Sequence, residues 1–195
     1  VHGIPGSRVI RDGDLVSIDC GVKLAGWCSD SAITVPVGSV AESARSLLAA
    51  GEAMLATAIR LAAPGVAWSE IAEAMQEIAI DAGHGLVVEY VGHGIGRDLH
   101  EAPQIPNCLT RPLVEREDFT LRPGMVLAIE PMITLHGPQR PAKAGRGARL
   151  GTVDGSDRSD AFDSDGFPLG IATRRLDDGW TVVAADGSPA VHVEH

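Results

Sequence analysis

Leu47-Leu48-Ala49-Ala50-Gly51-Glu52-Ala53-Met54-Leu55-Ala56-Thr57-Ala58-Ile59-Arg60-Leu61-Ala62 reads as a helix set between strands. Leu47, Leu48, Gly51, Met54, Leu55, Ala58, Ile59 and Ala62 recur at three- and four-residue steps, which lays apolar groups along one helical face. The pattern spans residues 40–62, and Pro64-Gly65 closes it. A second helical run follows: Ser69 is placed to cap it, Glu70 sits in its first turn, and Gly83 stops it. Ile71, Ala74, Met75, Ile78 and Ala79 form its apolar stripe. Upstream, short β-branched or apolar runs stand at 9–10, 15–18 and 32–35, parted by the turn pairs Asp12-Gly13 and Ala25-Gly26. Downstream, strand-like runs return at 86–91, 125–129, 180–184 and 191–194. Strands, two helices and strands again predict an α+β fold, with helices covering one face of a largely antiparallel sheet.

The chain has 195 residues, of which 45% are hydrophobic, enough for one domain with a sizeable core. Sixteen Lys and Arg against 26 Asp and Glu give a net charge of −10, a field that repels nucleic acid. Arg60 and Glu130 interrupt the longest apolar stretches, so no membrane-spanning helix is expected. Val1-His2-Gly3-Ile4-Pro5 has neither the charged nor the apolar region of a signal peptide. Three cysteines (Cys20, Cys28, Cys108) suit a reducing compartment better than a disulfide framework, which points to the cytoplasm. Residues 137–170 are rich in Gly, Pro and Ser, with Arg140, Lys143, Arg146 and Arg149 ahead of Asp154, Asp157, Asp160, Asp163 and Asp165. They read as a long solvated loop within a single domain over residues 1–195.

Four places carry chemistry. In Ile18-Asp19-Cys20-Gly21 and Ser29-Asp30-Ser31, a turn centred between Leu24 and Ala25 would set Asp19 directly opposite Asp30. Like charges so placed repel, which gives a cation a reason to sit between them; equally, one of the two could be an edge residue facing solvent. In Gly92-His93-Gly94-Ile95-Gly96-Arg97-Asp98-Leu99-His100-Glu101, two histidines flank a glycine-rich turn and could converge; the spacing fits neither a phosphate loop nor a dinucleotide fingerprint. Ala128-Ile129-Glu130-Pro131 holds a carboxylate inside an apolar run, which needs a partner or a metal. No basic residue follows Arg122 closely, and Pro131 marks an edge or a bulge. Val193-Glu194-His195 carries another carboxylate, which by position alone reads as an ordinary terminal residue. Two Asp, one His and two Glu suit hard or borderline divalent ions. Four carboxylates carry charge enough for two ions, which together can activate water for amide hydrolysis.

With these motifs in order, the sequence resembles the type I methionine aminopeptidases. The resemblance is carried by His2-Gly3-Ile4-Pro5, Asp12-Gly13-Asp14-Leu15-Val16-Ser17-Ile18-Asp19, Gly92-His93-Gly94-Ile95-Gly96, His100-Glu101-Ala102-Pro103, Pro123-Gly124-Met125, Ile129-Glu130-Pro131-Met132, Asp178-Gly179-Trp180-Thr181 and Val193-Glu194-His195. It covers nearly the whole chain outside about 137–170, which stands as an insertion. It implies the pita-bread α+β fold and release of N-terminal methionine from nascent polypeptides with a small second residue. It implies two divalent ions (Co, Mn or Fe) on Asp19, Asp30, His93, Glu130 and Glu194. Asp19 would hold one ion in bidentate fashion, Asp30 and Glu194 would bridge both, and His93 and Glu130 would complete the second. Glu130 would also carry the proton of the attacking water, making it catalytic along with His2 and His100. Those two histidines would hydrogen-bond the scissile amide and its developing oxyanion. Leu99 and Trp180 would wall the methionine pocket, with a plain core aromatic as the competing reading of Trp180. Leu99 stands where the family usually has a bulky aromatic, which implies a wider pocket. Cys28-Ser29 replaces the usual His-Gly before the aspartate; Cys28 reads as a buried inert thiol, with recruitment of zinc or copper as the other role. The resemblance further implies truncation at both ends and possible ribosome contact; a monomer with no membrane partner is expected. An X-Pro aminopeptidase or prolidase of the same fold, and a non-catalytic binding relative, are the alternatives; a carboxylate-pair glycosidase leaves His93 without a role.

Overall fold

The structure, a computed structural model, describes residues 2–137 and 163–195. Most of the expected insertion 137–170 therefore lies outside the described residues. At its end, the Asp163 carboxylate closes a turn by accepting the Asp165 and Phe167 N–H groups at 2.9 and 3.0 Å.

Two nested hairpins come first: β1 (Leu15–Asp19), β2 (Val22–Leu24), β3 (Trp27–Ser29) and β4 (Ala32–Pro36). Residues 9–10 join no strand, since no neighbouring segment offers them a ladder. Ala25 (φ 50°) and Gly26 (φ 81°) form the tip, a two-residue turn with left-handed backbone at both central positions. That turn pairs Leu24 with Trp27 and Asp19 with Ala32. The turn centre thus lies one residue later than the sequence suggested, and Asp30 is the diagonal neighbour of Asp19, not its opposite. The correction shifts the register by two residues, the side-chain period of a strand, so both aspartates stay on one face.

Helix α1 (Glu42–Leu61) buries Ala44, Leu47, Ala50, Gly51, Met54 and Ala58, while Ile59 points outward. Helix α2 (Trp68–Asp81) starts one residue before the expected cap. Ser69 lies inside its first turn and donates its N–H and hydroxyl to the Asp118 carboxylate, at 3.0 and 2.6 Å. The buried face is Trp68, Ile71, Ala72, Met75 and Ala79, with Ala72 in place of Ala74. Trp68 sets that rotation: fully buried, it stacks on Phe119 and donates its indole N–H to Pro106 O at 2.9 Å.

Eight short strands follow: β5 (Gly85–Leu86), β6 (Gly92–Gly94), β7 (Glu101–Ile105), β8 (Leu127–Ala128), β9 (Met132–Thr134), β10 (Thr173–Arg175), β11 (Val182–Ala184) and β12 (Ala190–His192). All named pairs are antiparallel. The expected runs shorten to these cores, with 86–91 reduced to β5, and β6, β7, β9 and β10 are additional. Pro103 hides β7 from a sequence reading, and Glu130-Pro131 hides β9. The sheets run in the orders β12-β9-β5 and β7-β6-β8. Ala32 and Glu194 exchange backbone hydrogen bonds of 3.4 and 2.8 Å, which join β4 to the end of β12. The array β1-β4-β12-β9-β5 is thereby continuous. Residues 127–134 serve both sheets, with Glu130-Pro131 at the junction.

Ile129, Ile133, Val191 and Val193 face the helices and pack with Leu47, Met54, Trp68, Ile71 and Met75 in one core. Met54 is fully buried. Met54→Ala should cost about 2–5 kcal/mol of unfolding free energy, to be read from urea unfolding midpoints at an unchanged m-value.

Candidate metal centre

Strand alternation sends the core residues to the helices and their neighbours to the other face. There a row of side chains crosses the sheet. Asp19 pairs with Ala32, and Ala32 bridges to Glu194. Ile129 and His195 exchange hydrogen bonds of 3.1 and 3.2 Å, and Val193 N–H reaches Pro131 O at 3.4 Å. These bonds continue the β9–β12 register and set Glu194 opposite Glu130. Ala32, buried and small, leaves space between Asp19 and the glutamates.

Glu130 is 6% exposed and Glu194 only 4% exposed, so Glu194 is no solvated terminal residue. Where Pro131 cannot continue a ladder, the Asn107 side-chain amide donates to Glu130 O at 3.0 Å. Glu130 does have basic neighbours, supplied from distant segments: His93 Nε2 lies 3.5 Å from Oε1 and His192 Nε2 lies 3.2 Å from Oε2.

His93 owes its position to the glycines beside it. A Cβ at Gly92 would meet Ala128 O at 2.3 Å, and one at Gly94 would meet Ala102 O at 2.3 Å. Only a backbone without side chains there lets β6 slot between β7 and β8. The expected glycine-rich turn is thus a central strand, with a register irregularity after His93. His93 Nδ1–H donates to Gly94 O at 2.9 Å, which leaves the Nε2 lone pair facing the Glu130 carboxylate. The His93 and His100 rings meet edge to face at 4.4 Å, so the two histidines do converge.

His2 closes the opposite side. Its Nδ1 lies 3.0 Å from Asp19 Oδ2, and its ring stacks on Trp180 at 5.6 Å. Val182 N–H anchors His2 O at 3.0 Å. Trp180 is 56% exposed, which removes the core-aromatic reading. The Asp178 carboxylate accepts the Trp180 and Thr181 N–H groups at 2.9 and 2.8 Å and holds that turn. Leu99, half-buried, and Asp30 Oδ1 both converge on the open side of Gly21. Cys28 is half-buried rather than buried, and its thiol rests 3.6 Å from Arg97 O.

The electrostatics ask for a cation. Burial, then the charges of Glu130, Asp30 and Asp19, push the Glu194 carboxyl up to about 8. Burial, then Asp19, raises Asp30. Burial lowers His2 despite the opposing pull of Asp19. Glu194 Oε1 is buried without a hydrogen-bond partner. Among the described residues, Asp30, His93 and Glu194 present ligand atoms within 4.8 Å of one another, as do Glu130, His192 and Glu194, and His2, Asp19 and His192. Carboxylates with imidazole, an orphaned buried oxygen and a free His lone pair fit divalent metal ions. His192 and Asn107 join the site without a motif of their own in the sequence. For His192 the signal was present: it stands two residues before Glu194 in a strand, hence on the same face.

Metallopeptidase family M24 matches residues 1–153. Methionine aminopeptidase 1 of Bacillus subtilis is 40% identical over 195 residues, all of this chain and 64% of that protein. The crystal structure of methionine aminopeptidase from Rickettsia prowazekii superposes with TM-score 0.74 at 30% identity, over 100% of this chain and 64% of that one. A prolidase from Pyrococcus furiosus superposes with TM-score 0.59 at 32% identity, over 68% of this chain and 37% of that one. The pita-bread fold is the fold of the chain. The chain spans less than two thirds of the length of the curated relatives it matches. No helix among the described residues is long and apolar enough to cross a membrane.

Proposed function

The chain belongs to metallopeptidase family M24, and on that premise we propose that it is a dinuclear aminopeptidase that removes N-terminal methionine from polypeptides with a small second residue. The observation that carries this reading is the convergence of buried carboxylates and a His93 lone pair around the unpartnered Glu194 Oε1. Asp19, Asp30, His93, Glu130 and Glu194 are the residues that would hold two divalent ions, of which cobalt, manganese and iron suit the donor set. Such ions, when bound, polarise an amide carbonyl and make water nucleophilic near neutral pH.

The remaining chemistry belongs to the chain's own groups. Glu130 has an imidazole on each oxygen and holds the proton that the amine leaving group later takes. His2, kept neutral by burial, keeps its Nδ1 proton on Asp19 and offers Nε2 to the substrate amide. His100, edge-on to His93, donates to the developing oxyanion. Trp180 and Leu99 flank the methionine side chain, an unbranched apolar group that such walls accept. We read residues 1–195 as one catalytic domain acting as a cytoplasmic monomer on nascent chains, within reach of the ribosome.

The test is calorimetric titration with Mn²⁺, followed by cleavage of Met-Ala-Ser and of an Ala-Pro-Ser control. Two equivalents bound, with methionine released and the control untouched, is the expected result. Cleavage of the proline peptide alone would give the prolidase activity instead. Metal uptake without cleavage of either peptide, or no uptake at all, would overturn the reading.

A further inference from the structure

His192 has no place in the five-residue ligand set, yet it is the most enclosed imidazole of the cluster. Its backbone is clamped from β4: His192 N–H donates to Thr34 Oγ1 at 3.1 Å, and the Thr34 hydroxyl donates back to His192 O at 2.7 Å. Its Nε2 lies 3.2 Å from Glu130 Oε2 and 3.8 Å from Glu194 Oε2. Its Nδ1 is buried with no partner.

The two imidazoles beside Glu130 are therefore opposites. His93 spends its Nδ1 proton on Gly94 O and turns a lone pair toward Oε1. The nearest neighbours of His192 Nε2 are carboxylate oxygens, so the proton belongs on Nε2. The alternative tautomer would bury an unsatisfied N–H at Nδ1 and set two lone pairs against each other, the costlier arrangement.

We propose that His192 is a positioning residue: its Nε2–H holds Glu130 Oε2, so that Oε1 is the oxygen turned to a metal ion shared with His93. This rests on the metallopeptidase reading above. An outer hydrogen bond to a ligating carboxylate fixes its orientation, and its loss costs about 10–100-fold in metal affinity or activity. His192 is then no ligand itself.

Two variants and one spectrum test this. His192→Leu removes the donor, and His192→Gln keeps an N–H at similar reach. In Mn²⁺ calorimetry, His192→Leu should bind about 10–100-fold more weakly than wild type, with His192→Gln close to wild type. At saturating Mn²⁺ the His192→Leu loss on Met-Ala-Ser should fall on kcat rather than KM. Melting of the metal-free variants reports any purely structural damage. In ¹⁵N spectra of the Zn²⁺-loaded wild type, His192 Nε2 should stay protonated. That measurement decides the matter if His192→Leu does not fold. Loss of the Nε2 proton on Zn²⁺ loading would make His192 a ligand and overturn the proposal, as would wild-type Mn²⁺ affinity in His192→Leu. Failure of the wild type to bind any metal would instead bring down the metallopeptidase reading, and this one with it.

Discussion

Glu194→Gln is expected to melt at a higher temperature than the wild type when both are metal-free, and to lose metal uptake and turnover together. The two effects have one cause. Glu194 is 4% exposed, faces Glu130 across the sheet, and has Asp30 and Asp19 acting on it. Without an ion, folding near neutral pH must either bury that charge beside its neighbours or take up a proton to neutralise it, and either costs stability. An amide of the same shape removes the repulsion, and each kcal/mol regained raises the melting temperature by about 2–4 °C in a chain of this size. With ions, the same carboxylate becomes the asset, and its loss should exceed the about 10–100-fold cost of an outer-partner mutation. Melting with a chelator, Mn²⁺ calorimetry and Met-Ala-Ser cleavage on one preparation check this. A metal-free variant less stable than wild type, with uptake intact, would mean that Glu194 is a structural residue.

The second large effect is on pH. Glu194 is pushed from 4.5 to about 8 in the folded chain, and Asp30 also rises. Between the unfolded and folded values the native state keeps a proton that the unfolded state has released, so stability falls as pH rises. His2 works the other way, because its lowered value favours the folded state only as pH climbs toward 6.5. From about pH 6.5 to 8 Glu194 sets the trend, and the metal-free chain should lose stability steadily. One proton sets a ceiling of about 1.4 kcal/mol per pH unit. The observed slope should be shallower, since Asp19 and Asp30 keep the cluster in touch with solvent, which screens it. Mn²⁺ should reverse the trend, because metal displaces the proton and gains affinity as pH rises. Melting curves at pH 6.5, 7.2 and 8, with chelator and with Mn²⁺, give the two slopes. Parallel flat lines would show that Glu194 holds no proton in the folded chain.

Local pattern decided much of this protein. The periodicity of 40–62 and 69–83 produced two helices within a residue or two of their observed bounds, because apolar spacing acts inside a single segment. The Gly-His-Gly run, Asp19, Asp30 and Glu130 are also legible as chemistry-bearing positions, since facing aspartates and a carboxylate inside an apolar run each demand compensation, whereas Glu194 reads by position as an ordinary terminal residue. The hairpin register differs from the sequence expectation by two residues because a turn is set by which two positions take left-handed backbone, and Ala25 is an uncommon choice. The difference leaves both aspartates on the same face, because two is the period of a strand.

The donor residues, the two helices and the α+β class are all legible along the chain. The burial of Glu194, its place opposite Glu130 and the approach of His192 to the same carboxylate arise only in the assembled fold. These groups are far apart along the chain. Asp19 and Glu194 come onto one row through Ala32, and Glu130 meets His93 and His192 from separate segments. Helix periodicity is encoded within one segment, whereas cross-strand opposition depends on which strands pair and in what register. The repulsion among those carboxylates arises only once that pairing has formed.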